Sequence, residues 1–400
     1  MLAYYKRSLV SLFGLVKALR ADPYGQSETC LAIQERLLRN ITYIEQKIRE
    51  CHASIRNLNK RLRTQQPTGI TKAEAQAIKN EVSDSRHKID EYRQLLTIFR
   101  EIGDALAFTY IDKYDIKPLA MKEGPGFLSQ KAGLRLELKA LRTVFSLGRI
   151  GIMNDLTNCL RYGDISVPKD GKLYIFEVKS GNYPNSRTQR QFTEARKVSN
   201  YLTKGETDGL YGINGQFQRI SLHSPEVHHR DQLNALISSA MKNETSYAEV
   251  EDGLYYLVLS KFDAGVFDLL SNKCKSKPIF SMVNEIKYDS AGYYPFSLSI
   301  YDSEAWYAFH CDKLAVCVLI DSTVIENEFK VHGLGMELRL DKDWVMAITN
   351  LRPGRGETEH LQVSRHFFGR LFVEFLSLGW FLQELVHKVK LGQTLVHGGE

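Results

Sequence analysis

The chain of 400 residues lacks a cysteine framework: its six cysteines (Cys30, Cys51, Cys159, Cys274, Cys311 and Cys317) include no CxxC pair. Their scattered contexts exclude a disulfide-stapled miniprotein and point to free thiols in a reducing, cytoplasmic setting. A long uncharged apolar run is also missing. The most hydrophobic stretch, Phe367–Val389, is interrupted by Arg370, Glu374, Glu384, His387 and Lys388, so it reads as a buried terminal helix rather than a membrane span. At the other end Lys6-Arg7 precede the apolar stretch Ser8–Val16, but Lys17 and Arg20 break it early, which favours an amphipathic helix over a signal peptide. No internal repeat and no low-complexity tract is present. With 43% apolar and 25% charged residues, what remains is ordinary globular material, enough for two or three domains and without membrane partners.

Excess charge is lacking over most of the chain as well. The net +6 divides unevenly: residues 1–100 hold 18 Lys and Arg against 10 Asp and Glu, whereas residues 101–400 hold 35 against 37. The basic quarter is also the most regular. Leu37, Ile41, Ile44, Ile48, Cys51, Ile55, Leu58 and Leu62 alternate spacings of four and three, the seam of a heptad helix. A Gln-Gln-Pro-Thr-Gly turn follows, and Thr71 with Glu74 forms a capping box that starts a second helix. Its seam is Ala75, Ile78, Val82, Ser85, Ile89, Tyr92, Leu96 and Phe99. The expectation is an antiparallel coiled-coil hairpin over residues 28–105. Its outer faces carry Arg36, Arg39, Lys47, Arg49, Arg56, Lys60, Arg61, Arg63, Lys79, Arg86, Lys88 and Arg93, a surface suited either to phosphate contact or to pairing in a homodimer.

Further along, Leu134, Leu138, Leu141 and Phe145 mark a helix, strands and a turn fall between Ile150 and Ser180, and a helix covers Arg187–Leu202. Ile220–His223, Asp231–Met241 and Leu254–Ser260 read as strand, helix and strand. Pro295–Tyr301, Trp306–His310, Leu314–Ile320 and Trp344–Ile348 read as strands. The expected domains are therefore an N-terminal helix (1–27), the hairpin (28–105), an α/β domain (106–260) and a β-rich α+β region with a terminal helix (261–400).

The chemistry concentrates in Gly163–Gly181. Pro168–Gly171 is a turn signal between two strand-like runs, so the segment is a β-hairpin. Glu177 and Lys179, two residues apart, share one face of the second strand. A loop of even length, taken as symmetric about Lys169 and Asp170, puts Asp164 opposite Ile175 and on that same face; an odd loop turns it away. Two carboxylates and a lysine suit phosphodiester hydrolysis: the carboxylates are hard ligands for Mg²⁺ or Mn²⁺, and the ammonium steadies an attacking water and the developing charge. The bland alternative is a solvated strand end with a cross-strand ion pair, but an apolar lead-in (Leu-Tyr-Ile-Phe) that terminates in charge argues for a task.

This stretch resembles the core of the PD-(D/E)xK nuclease superfamily, the restriction-endonuclease-like fold, over roughly residues 129–225. Asp164 and Glu177-Val178-Lys179 match its Asp and Glu-x-Lys, with Gly163 where the motif's proline would stand. The resemblance implies an α/β fold with a mixed sheet flanked by helices, and metal ligands at Asp164, Glu177 and Val178. It implies catalytic roles for Asp164, Glu177 and Lys179, with Glu137 on the preceding helix (Glu101 its rival) and Gln191, among Arg187, Gln189 and Arg190, on the following one. The implied activity is a Mg²⁺-dependent endonuclease acting on nucleic acid, DNA first, in restriction or phage defence. The competing expectation is a non-catalytic nucleic-acid-binding or scaffold protein with a degenerate nuclease fold, its hairpin serving as an oligomerisation arm. Weaker signals are His223, His228 and His229 as a metal cluster, and Asp155 as an extra ligand.

Overall fold

The computed structural model describes residues 1–65, 69–120, 126–179, 186–210, 213–219, 221–261, 265, 278–339, 344–350 and 359–397. The chain separates into two compact units, residues 1–219 and 220–400. Both are mixed α/β, and every strand pairing among the described residues is antiparallel. The sheet that follows the helical region is accordingly antiparallel in its described strands, where the sequence had suggested a mixed one.

In the first unit, α1 (Leu2–Ala21) buries Leu9, Leu12, Phe13, Val16 and Leu19 against two 39-residue helices, α2 (Ser27–Gln65) and α3 (Lys72–Tyr110). These two form the expected hairpin. At about 1.5 Å per residue each reaches roughly 58 Å. The Thr71–Glu74 box starts α3: the Thr71 hydroxyl accepts from Glu74 N, and the Glu74 carboxylate accepts from Thr71 N at 3.0 Å. The seam is uneven in depth. Near the turn Leu58, Ile78 and Val82 pack with Ile55, Leu62 and Ile70 as a thin two-helix contact. At the base, α3 is buried on every side from Ile98 to Ala107, a pattern no free coiled coil has. Gly103 explains the close approach there: a Cβ would stand 2.0 Å from the Leu156 carbonyl oxygen.

That base carries the rest of the unit. α4 (Lys113–Ala120) leads to a one-turn 3₁₀ segment (Leu128–Gln130), then α5 (Leu134–Ser146). A three-stranded sheet follows in the order β1 (Ile152–Met153), β2 (Ile165–Lys169), β3 (Lys172–Phe176). The buried Gln34 side chain continues this sheet beyond β1. Its amide donates to the Gly151 carbonyl and accepts from Met153 N, both at 2.8 Å. α6 (Ser186–Lys204) packs on β3 and on β4 (Glu206–Leu210), which pairs with β5 (Ile213–Gln218) as a separate two-stranded sheet.

In the second unit, α7 (Arg230–Asn243) packs against a sheet of order β6 (Thr245–Glu251), β7 (Leu254–Leu259), β9 (Ala315–Asp321), β8 (Pro278–Met282). β7 is buried along its whole length, as its unbroken Leu-Tyr-Tyr-Leu-Val-Leu run requires of a central strand. Residues 220–260, grouped with the nuclease-like region on sequence, thus belong to this unit, and residues 221–223 are not strand. Two expected strands are helical: α8 (Phe296–Ser299) and α9 (Ser303–His310). Pro295 and Asp302 decide this, the first preceding a short helical turn and the second accepting from Ala305 N at 2.8 Å as an N-cap. The unit ends with β10 (Leu334–Leu338), β11 (Trp344–Asn350), β12 (Glu359–Ser364), α10 (Arg365–Val373) and α11 (Leu378–His397). The Phe367–Val389 stretch is thus two helices. No helix among the described residues is long and apolar enough to cross a membrane.

Candidate functional site

The β2–β3 turn fixes the site. Lys169 pairs with Lys172, so the loop is the two residues Asp170 and Gly171. Both have positive φ (52° and 70°), the conformation of a type I′ hairpin turn. The loop is even, but the pairing is centred one residue further along than a turn about Lys169 and Asp170 would put it. The last rung is Ile165 with Phe176. Just beyond it Asp164 brackets Glu177: its N–H donates to the Phe176 carbonyl and its Oδ2 accepts from Val178 N, both at 2.7 Å. Asp164 is thereby set against the Phe176–Val178 backbone, rather than opposite Ile175.

Gly163 makes this bend possible. Its φ is +71°, and a Cβ would lie 2.5 Å from Ile175 Cγ2 and 2.8 Å from the Phe176 oxygen. Asn154 closes the loop from the other side. Its N–H donates to the Asp164 carbonyl at 2.9 Å, and its side-chain amide donates to the Tyr162 and Gly163 carbonyls at 2.6 and 3.2 Å. Asp155 is carried along, its own carbonyl accepting from Arg100 Nε at 3.3 Å.

The centre of the site is a residue the sequence reading passed over, Lys131. Its ammonium donates to Asp164 Oδ1 at 2.7 Å and Asp155 Oδ2 at 2.9 Å, and lies 2.9 Å from Glu137 Oε1. The 3₁₀ turn presents it, anchored by buried Leu128 and by Ser129 N donating to the buried Glu45 carboxylate at 2.8 Å. Glu137 reaches the same point from the first turn of α5, where Glu137 N donates to the Gly133 carbonyl. Burial alone would lower the Lys131 pKa, but bonds to Asp155, Asp164 and Glu137 outweigh it and hold the ammonium above its ordinary value. Glu137 is 1% exposed, and burial raises its carboxyl above the usual range against the pull of Lys131. Its Oε2 is buried without a hydrogen-bond partner. Glu177 and Lys179 form a separate pair at 2.7 Å, with Lys179 42% exposed.

The structure therefore joins Asp164, Glu137 and Asp155 through Lys131, and sets Glu177–Lys179 beside Asp164. Glu101 is buried on α3. Gln191 sits in α6, but its side chain, like those of Arg187, Gln189 and Arg190, lies outside the described residues. Cys274 also lies outside them. The histidines disperse: His223 stacks on His387 at 3.9 Å, His228 bridges to Leu376, and His229 Nε2 bonds Glu251 at 2.8 Å.

The donor set at Asp164 suits a hard, oxygen-ligated ion in kind, and its convergence on one ammonium shows that it is built around positive charge. Among the described residues, however, no group of three His, Cys, Asp or Glu side chains is spaced to hold a metal ion. In this arrangement Lys131 takes the cation's part. No protein-family model, curated protein or solved structure matches the chain.

Proposed function

We propose that the chain is a metal-dependent nuclease hydrolysing phosphodiester bonds, with DNA as first substrate, on a restriction-endonuclease-like core spanning β1–β3, α5 and α6. One observation carries this reading: the type I′ hairpin seats the Asp164 carboxylate on Val178 N, between Glu177 and Lys179 in the chain, with Glu137 and Asp155 converging on it through Lys131 from neighbouring elements. Five ionisable groups beside one strand end, two of them largely buried, exceed what a solvated ion pair needs.

In this reading Asp164, Glu177 and Val178 would hold a Mg²⁺ or Mn²⁺ ion, which when bound supplies an acidified water and charge neutralisation at the phosphate. Lys179 is the exposed ammonium, placed to orient the attacking water and to steady charge developing on phosphate oxygens. Glu137, buried and held above the ordinary carboxylate range, sets the charge balance around Asp164. The Asn154 clamp and the Gly163 bend hold Asp164 against Val178 N, so its carboxylate is oriented before substrate arrives. Such an activity would serve restriction or phage defence.

The test is cleavage of plasmid and linear DNA, with an RNA arm, under Mg²⁺, Mn²⁺ and EDTA. Wild type should cut with metal and not with EDTA, and Lys179→Ala and Asp164→Asn should lose at least about a hundredfold in rate. Equal rates for wild type and Lys179→Ala, or no cleavage with any metal, would refute the assignment.

A second reading has its own observation. Lys131 already satisfies three carboxylates, as in a nuclease fold that has become a nucleic-acid-binding or scaffold protein. Its grip would then come from the hairpin, where Arg56, Lys60, Arg61, Arg63, Lys79, Arg86 and Lys88 are exposed. DNA binding whose log affinity falls steeply with log salt, without cleavage, selects this reading; a flat salt dependence removes the basic arm from either.

A further inference from the structure

We propose that the cavity at the tip of the β2–β3 hairpin is a nucleotide-binding site, its aromatic wall taking the base and its basic wall the phosphate. The site is independent of the nuclease reading. It lies at the opposite end of the strands from Asp164, about 13 Å of strand beyond the Ile165–Phe176 rung. The cavity has a volume of about 440 Å³ and is walled by the α1–α2 turn, the end of α3, the α5–β1 link and the hairpin tip. That size falls within the roughly 300–1,000 Å³ of small-molecule sites.

The aromatic wall is Tyr24, which is 75% exposed and yet held in place. Its ring meets that of Tyr110 edge to face, with centroids 5.8 Å apart at 74°. The Tyr110 hydroxyl donates to the Pro23 carbonyl at 2.6 Å, and Asp22 Oδ1 accepts from Gly25 N at 3.0 Å, so the chain is pinned on both sides of Tyr24. A ring that is fixed but uncovered loses little freedom when a planar base stacks on it.

The basic wall gathers like charges. Lys169 and Lys172 are direct cross-strand partners on the rung that closes the turn, a pairing that destabilises a hairpin when both are charged. Arg149 lines the same cavity from the α5–β1 link. Among the described residues neither Arg149 nor Lys172 forms a side-chain ion pair, and Lys169 reaches only Asp170, at 3.8 Å. A phosphate among these groups relieves their repulsion, and the Arg149 fork suits its oxygens. Of the carboxylates on the rim, Asp115 is committed to Arg219 at 2.7 Å. Asp112 accepts from Tyr114 N through Oδ1, which leaves Oδ2 as acceptor for a sugar hydroxyl or a base amine. An apolar ligand would leave the cations unmatched, and an inorganic anion would leave Tyr24 unused. A duplex offers no free base face, so the nucleotide is either a free one or one at a single-stranded end.

The experiment is isothermal titration calorimetry on the full chain in EDTA, where cleavage plays no part. The probes are AMP, adenosine, inorganic phosphate and a short 5′-phosphorylated oligodeoxynucleotide. AMP should bind at least about tenfold more tightly than adenosine or phosphate alone. Tyr24→Ala should weaken AMP at least about fivefold, and Tyr24→Phe should retain it, as stacking requires. Lys172→Ala and Arg149→Ala should weaken AMP and leave adenosine unchanged. The oligonucleotide identifies the source. Binding tighter than AMP and equally dependent on Tyr24 assigns a strand end; oligonucleotide binding that ignores Tyr24, beside AMP binding that needs it, assigns a free nucleotide. If neither AMP nor the oligonucleotide binds in a way that depends on Tyr24, or if phosphate alone matches AMP, the inference is overturned.

Discussion

Two glycines in the site hairpin have nearly the same backbone angle and opposite surroundings, which separates strain from contact. Gly163 and Gly171 have φ of +71° and +70°. A Cβ on Gly171 would meet nothing within 4 Å, whereas one on Gly163 would stand 2.5 Å from Ile175 Cγ2 and 2.8 Å from the Phe176 carbonyl oxygen. Both Ala variants carry the left-handed penalty of about 1–2 kcal/mol. Both also gain the same stiffening of the unfolded chain, which cancels between them. Gly163→Ala alone adds overpacking against main chain that cannot rotate away, about 1–3 kcal/mol more. The Phe176 oxygen is the acceptor for Asp164 N, so any relaxation moves the carboxylate that bonds Val178 N and Lys131. The chain has two units, so one global transition is not a safe measure. Amide exchange resolved over peptides covering residues 160–178 gives the local opening free energy directly. Gly163→Ala should lower it by about 1–3 kcal/mol more than Gly171→Ala does, with peptides of the second unit unchanged. Equal losses in the two variants would show that the close approach of Gly163 to β3 is not what holds Asp164.

Other expectations follow from buried charge and buried thiols. Arg100 Nη2 bonds the fully buried Glu45 at 3.2 Å, so Arg100→Met should destabilise the first unit by about 3–5 kcal/mol, and adding Glu45→Gln should restore part of it; a thermal midpoint unchanged in Arg100→Met would contradict this. In the second unit burial tends to raise the Glu251 carboxyl, but bonds from His229, Gly379 N, the Ser377 hydroxyl and Leu378 N win and lower it. A native value below the unfolded one means that this contribution is whole above about pH 4.5 and is lost as pH falls through the native value. Glu251→Gln should accordingly flatten the acid limb of second-unit stability, at a cost of about 2 kcal/mol near neutrality; an acid limb as steep as wild type would refute the assignment. Burial raises the Cys30 thiol to about 11 and the Cys317 thiol to about 12. At pH 8 iodoacetamide should therefore modify the half-buried Cys51 and Cys311 well before either, read residue by residue, and faster labelling of Cys30 would count against its burial. Because those two native values lie above the unfolded ones, their contribution to stability holds below about pH 9 and fades above it.

Periodicity made the helical hairpin legible because a heptad seam over two 39-residue helices leaves little else for those apolar residues to do. The Thr71–Glu74 box and a turn within Pro168–Gly171 were equally local, set by residues within a few positions of each other. The errors came where local pattern competes with capping. Trp306–His310 is apolar enough for a strand, yet Asp302 accepting from Ala305 N starts a helix. Pairing centred on Asp170-Gly171 instead of Lys169-Asp170 shifted every partner on β3 by two residues, so Asp164 lies just past the last rung, Ile165 with Phe176, instead of opposite Ile175. Lys131 was illegible for a different reason. It bonds residues 6, 24 and 33 positions away, and nothing in its own surroundings sets it apart from other surface lysines. Only Glu137, an acidic residue bordering the apolar stripe of α5, gave a sign that charge was being gathered there.

The uneven charge of the chain is now divided between two tasks. The exposed basic side chains near the hairpin turn stand on a thin two-helix contact, while the base of the same helices is solid core. That base holds the site's supports: Arg100 and Glu45 secure the Lys131 turn, Arg100 also holds the Asp155 carbonyl, and Gly103 admits Leu156 against α3. The hairpin is thus a basic surface at one end and the foundation of a carboxylate cluster at the other. Among the described residues, the ion pairs of Glu137, Asp155, Asp164 and Glu177 are made with Lys131 and Lys179, four carboxylates to two ammonium groups. A polyanion drawn to the arm would be repelled at that cluster unless further cations arrived with it. If the protein acts on nucleic acid, binding and chemistry should therefore separate on titration with metal: the arm should bind without Mg²⁺, and the site should accept a phosphate only with it. Charge reversal at Arg56, Lys60 and Arg63 should weaken binding in either condition, and the same variants should leave Mn²⁺ affinity at the cluster unchanged. A Mn²⁺ affinity that falls with those reversals would mean that arm and site are one electrostatic unit.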